Sequence, residues 1–133
     1  MEFSVHGEFT FLFVEEILVV KVVGSWNREC AIRFDRTFRA VASDLDSQPW
    51  GNVLDMSQWK LATPDIWIEI KETALWLAEH NHRFEAVVIN NMLEQHLMVE
   101  RFKLTPKLRT AFFDNETQAI DWCKEQDQQR HSA

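Results

Sequence analysis

The feature that most constrains this chain is an alternation. Short runs of β-branched and aromatic residues take turns with longer segments whose apolar residues recur every three or four positions. Phe9–Val14 and Ile17–Val23 are two such runs, separated only by Glu15-Glu16, which predicts a hairpin although the favoured Asn-Gly turn is absent. Phe3–Val5 predicts a further short edge strand ahead of it. Leu18 to Val23 is apolar except at Lys21, the pattern of a strand covered on both faces.

Gly24 closes that run, and Asn27 predicts the N-cap of a helix carrying Ala31, Phe34, Phe38, Val41 and Leu45 on one face. Val53-Leu54 leading into Asp55 predicts a short strand with a polar end. Thr63-Pro64-Asp65 predicts a helix start, with Thr63 as cap and Pro64 in the first turn, followed by the stripe Ile66, Ile70, Ala74, Leu77. Asn81-His82-Arg83 is expected to terminate that helix. A strand over Glu85–Ile89, a helix over Met92–Phe102 and a strand over Thr110–Phe113 follow. Asn115 with Gln118 three residues on is a capping-box signature for a closing helix through Trp122. The expected order is β-β-α-β-α-β-α-β-α. It describes a single-domain α/β protein with a mixed sheet: an antiparallel hairpin, then parallel βα units with about four helices. Residues 1–125 form the expected domain, and 126–133 a polar, frayed tail.

Composition narrows the function by exclusion. The 133 residues carry a net charge of −7 and no cluster of Lys or Arg, so a nucleic-acid partner is not expected. The two cysteines, Cys30 and Cys123, lie far apart and make neither a zinc motif nor a disulfide framework. The start Met1-Glu2-Phe3 lacks the basic and apolar regions of a signal peptide, and Phe9 to Val23 is interrupted by Glu15, Glu16 and Lys21. The expected compartment is the cytosol, with no membrane span. Glycine stands only at positions 7, 24 and 51, so no phosphate-cradling loop can be built, and no nucleophile elbow or zinc-protease motif occurs. No cofactor and no catalytic residue are expected. His80 and His82 point apart at i, i+2 and are read as stabilising a helix C-terminus rather than holding a metal. Cys30 and Cys123 are read as small buried apolar residues.

Two features point towards binding. Asp55 and Ser57 stand at a strand's carboxyl end, and Thr63 and Asp65 at a helix start, the edge at which open α/β sheets meet ligands. A phosphate on Thr63 or Ser57 would face helix amides there. Six tryptophans are too many for the core stripes: Trp59 falls in a polar segment and Trp76 off the Ile66–Leu77 face. Both are candidates for an interface or a hydrophobic ligand site.

These elements resemble those of SpoIIAA-like proteins, relatives of the STAS domain of anti-sigma-factor antagonists. Val53-Leu54-Asp55-Met56-Ser57 is similar to the "LDxS" strand end of STAS domains. Phe84–Ile89, the run Arg109 to Glu116, and Ala119-Ile120-Asp121-Trp122 are similar to the last two strands and closing helix. The resemblance implies helices packed mainly on one side of the sheet and a non-catalytic regulatory role. In STAS antagonists a serine at the start of the following helix is phosphorylated, usually within Asp-Ser-Ser-Gly. Here Thr63-Pro64-Asp65-Ile66 replaces that run and Pro64 takes the serine position, leaving Thr63 as the nearest hydroxyl. The expected function is a regulatory or protein-interaction module whose partner is another protein, a second copy of the chain included. The alternative is a carrier or sensor of a small apolar molecule or lipid in a Phe/Trp-lined cavity.

Overall fold

The computed structural model describes residues 8–131; the edge strand expected over Phe3–Val5 lies outside them. The elements are β1 (Glu8–Val14), β2 (Ile17–Trp26), α1 (Arg28–Ser43), β3 (Trp50–Ala62), α2 (Ile66–Ala78), β4 (His82–Val88), α3 (Met92–Phe102), β5 (Arg109–Phe113) and α4 (Glu116–His131). The sheet runs β1-β2-β3-β4-β5, with β1 antiparallel to β2 and every other pair parallel. Each parallel crossover steps to the next strand in the same direction. Crossovers of one hand then put their helices on one face of the sheet. Side-chain packing agrees: α1 and α2, with Met98 of α3, cover one face, and α4 covers the other through Ala119, Ile120 and Cys123.

β2 shows why the sheet has two cores. Leu18, Val20 and Val22 pack towards α1 and α2, while Ile17 and Val19 pack towards α4. A continuous apolar run is what a strand buried on both faces requires. α1 opens where the Asn27 side chain accepts the Cys30 amide at 3.0 Å, a cap worth about 1 kcal/mol. Its inward stripe, Ala31, Phe34 and Phe38, meets the sheet in an aromatic nest. Phe34 lies edge-on to Trp26 at 5.0 Å and to Phe9 at 5.5 Å, and Phe38 edge-on to Phe11 at 5.1 Å. Such pairs add about 0.5–1.5 kcal/mol each beyond the area they bury.

Three local expectations are corrected. β3 is a 13-residue strand rather than a short one, and it continues through Trp59. The register slips twice, between Lys21 and Val23 and between Gly24 and Trp26, so β3 carries extra residues opposite β2 and keeps pairing past its polar stretch. α2 begins at Ile66, not beside Thr63: Thr63 and Pro64 form a turn, and Asp65 occupies the cap position without a side-chain cap bond. α4 continues beyond Trp122 to His131, and Gln126 is buried because its amide oxygen accepts the Arg109 guanidinium across from β5. Among the described residues no helix is long and apolar enough to cross a membrane.

Candidate functional site

Asp55 is the last β3 residue paired with β4, opposite Val88. Its carboxylate accepts the Ser57 amide at 2.9 Å and meets Glu116 in the first turn of α4, which itself pairs with Lys21 at 3.2 Å. Burial works against charge on Asp55, but hydrogen bonds from Glu116 and Ser57 and the Lys21 charge outweigh it and hold the carboxyl below its usual range. The hydrogen bond to Asp55, with burial, holds Glu116 above its own. The two carboxyls are thus pushed in opposite directions, and a proton bound to the pair sits on Glu116 before Asp55. Ser57 is exposed.

Thr63 and Asp65 are exposed and bonded to each other, hydroxyl to carboxylate. Trp59 leaves its expected polar loop for the sheet and packs edge-on against Trp67 of α2 at 6.1 Å. Trp76 faces α1: Arg39 lies over its ring at 5.0 Å, and His80 stacks on it while donating from Nδ1 to the Trp76 carbonyl. None of the six tryptophans is exposed. The predicted residues thus fall into two locally bonded pairs and two inward-packed rings. The structure does not gather all of them at one edge.

The polar groups that do converge are four others. His82 opens β4 instead of ending α2, because Asn81 adopts a positive φ of 69° and reverses the chain. Its Nε2 lies 2.6 Å from Asn52 Oδ1 on β3. Asn52 Nδ2 donates to Glu85 Oε2 at 3.1 Å, and Arg101 Nη2 of α3 donates to Glu85 Oε1 at 2.8 Å. The Glu85 carboxylate fixes the Asn52 amide with its oxygen towards His82, so the imidazole carries its proton on Nε2. Asn52, Glu85 and His82 are all buried. Burial pushes His82 down to about 4; the Glu85 charge opposes this, and the Arg101 and Arg83 charges reinforce it. The ring is therefore neutral at physiological pH and stacks on Trp50 at 4.5 Å.

This network floors a cavity of about 60 Å³ between the sheet, α2 and α3. Its walls include Leu54, Met56, Trp59, Trp67, Ile70 and Met98, and its polar side is Thr73, His82, Glu85 and Arg101. Apolar walls with a few convergent polar groups are the usual composition of a small-molecule site. A larger groove of about 650 Å³ lies at the strands' opposite end, beside the hairpin turn and α4, and its lining mixes charged groups such as Glu15, Glu16 and Lys124 with apolar ones such as Phe13 and Trp50. The smaller cavity is the candidate site. One signal for it stood in the sequence: Glu85 at the head of the run Ala86-Val87-Val88-Ile89, a carboxylate that a buried strand cannot leave unpaired.

No protein-family model matches the chain, and no curated protein matches it. Among solved structures it is similar to a protein of the DUF3478 family with a SpoIIAA-like fold from Shewanella loihica PV-4. The TM-score is 0.73 at 16% identity, over 92% of this chain and 98% of that one. It is also similar to an anti-sigma factor antagonist from Mycobacterium paratuberculosis, with a TM-score of 0.63 at 16% identity, over 89% and 94%. With its mixed five-stranded sheet and four helices, the chain has the SpoIIAA-like fold.

Proposed function

We propose that the protein is a non-catalytic interaction module that meets a protein partner through the outer face of α3 and the adjoining part of α2. The observation that carries this is the exposure of large apolar side chains there. Met92 is 87% and Leu93 68% exposed, and Ile68 of α2 is 64% exposed. Exposed apolar side chains of this size are what an interface covers. The tryptophans do not supply it. The fold shared with an anti-sigma factor antagonist supports a protein partner, and burial supports the absence of thiol catalysis. Cys30 is held above its ordinary pKa and Cys123 is pushed up to about 12, so neither offers a thiolate near neutrality. Both candidate phosphorylation positions stand beside a carboxylate, Thr63 beside Asp65 and Ser57 beside Asp55, so a phosphate at either would meet like charge. The proposed compartment is the cytosol.

The test is the double variant Met92→Glu, Leu93→Glu. Sedimentation velocity of the purified protein, and affinity purification from its native host with mass spectrometry, should show self-association or one specific partner for the parent chain. The variant should lose it while keeping its stability within about 0.5 kcal/mol. A monomeric parent with no specific partner, or an association the variant retains, would count against the proposal.

The cavity favours a second reading, a carrier or sensor of a small apolar molecule. At about 60 Å³ it is too small for an acyl chain in this conformation. Native mass spectrometry of freshly purified protein should then reveal a bound species of low mass.

A further inference from the structure

We propose that the cavity between β3, α2 and α3 takes a small, uncharged, mostly apolar molecule with one hydrogen-bond acceptor, a ketone-type carbonyl being the simplest, and that Arg101 Nε donates to it. This rests on the reading of the cavity as a ligand site, and adds to it the ligand's chemical class.

The first observation is an unmet donor. Arg101 lines the cavity, its Nη2 is bonded to Glu85, and its Nε is buried without an acceptor among the described residues. A guanidinium stays charged in proteins and always presents that N–H. A buried donor on a charged group gains more from an acceptor than a neutral one does.

The second observation is charge balance. Glu85 and Arg101 form an ion pair with side chains 3% and 13% exposed. The other polar groups at the cavity, Thr73 and His82, carry no charge near neutral pH. An anionic ligand would add a charge without a counter-charge in a poorly solvated place, and a cation would oppose Arg101. A neutral acceptor satisfies the donor without either cost.

The third is size. A cavity that holds the six heavy atoms of benzene measures about 150 Å³, so about 60 Å³ suits a molecule on the order of two to four heavy atoms.

Three probes of four heavy atoms separate these elements: acetone, its isostere 2-methylpropene, in which a CH₂ replaces the oxygen, and acetate. Each is titrated by NMR into the parent protein and into Arg101→Lys, which keeps a cation for Glu85 but has no Nε. In the parent protein, acetone should shift the Arg101 Nε–H resonance together with the amides of Leu54, Met56 and Ile70. The ratio of acetone to alkene affinity should fall about ten-fold or more in Arg101→Lys. Because the ratio is compared between two proteins, the different water solubilities of the probes cancel. Acetate should bind more weakly than acetone.

An unchanged ratio, an Nε–H resonance that acetone leaves in place, or acetate binding as tightly as acetone would overturn the inference while the cavity remained a ligand site. If none of the three probes shifts the cavity amides, the ligand-site reading falls with it. Should Arg101→Lys fail to fold, the Nε–H shift in the parent protein decides.

Discussion

His82 ties the stability of this fold to pH. An unfolded chain titrates its imidazole at 6.5, whereas the buried ring does so at about 4. Above pH 6.5 both states are neutral and the difference has no effect. Between 6.5 and 4 the unfolded state takes up a proton that the folded state refuses, so stability falls as pH falls. The slope is about 1.4 kcal/mol per pH unit, and about 3 kcal/mol is lost across the window. Asp55 and Glu116 shift in opposite directions, so their contributions oppose each other. Urea midpoints at pH 7.5 and 5.0 should show the loss, and His82→Gln, which keeps a donor for Asn52, should flatten it. A native-state NMR titration placing His82 near 6.5 would refute this. Glu85 carries a second prediction. Replacing it with Leu strands the Arg101 guanidinium, and removing one partner of a buried pair costs about 3–5 kcal/mol. Urea denaturation would measure it, and a loss under 1 kcal/mol would mean the pair is well solvated. Asn52, His82 and Arg101 were not legible as a site, since the bonded pairs His82–Asn52, Asn52–Glu85 and Glu85–Arg101 lie 30, 33 and 16 residues apart and follow no local period.

Among the elements, the β1–β2 hairpin shows what a pattern reveals and what it leaves out. The two apolar runs predicted the pair, and Val14 opposite Ile17 leaves a two-residue loop. Both loop residues have positive φ, 50° at Glu15 and 71° at Glu16, as a type I′ turn demands. A left-handed conformation costs a side-chain-bearing residue about 1–2 kcal/mol. Glu16→Gly should therefore stabilise the fold by about 0.5–1 kcal/mol, after the greater freedom of glycine in the unfolded chain is subtracted. Thermal unfolding would show it as a raised Tm, and a lowered one would contradict it. Glu15 is best left in place, because it pairs with Lys124 of α4 at 2.9 Å. At the start of β3, Gly51 answers a different need. It lies opposite Phe84, and a Cβ there would collide with the Phe84 ring and carbonyl oxygen. α2 was legible through its stripe but not its first residue, since the Thr63–Asp65 bond favours a turn over a cap.

At the scale of the whole molecule, a sheet between two helical layers gives two cores that need not open together. Cys30 belongs to the α1 core and Cys123 to the α4 core, at 1% and 0% exposure. Each thiol is therefore a reporter for its own layer. If the layers unfold as one unit, a thiol reagent should label both cysteines at a single slow rate set by global unfolding. Faster labelling of one would identify the layer that opens first. Either thiol reacting at the rate of a free cysteine would contradict the burial described.

The sequence by itself determined the order of elements, the double burial of β2, and the caps at Asn27 and Asn115, because each depends on neighbours within a turn or a strand pair. Only the tertiary structure decided that Trp59 and Trp76 turn inward, that Met92 and Leu93 face outward, and that His82 begins a strand. It alone joined Asn52, Glu85 and Arg101 from two strands and a helix. A buried charge is stable only with its partner, and that partner is chosen by the packing of distant segments, which no local spacing records.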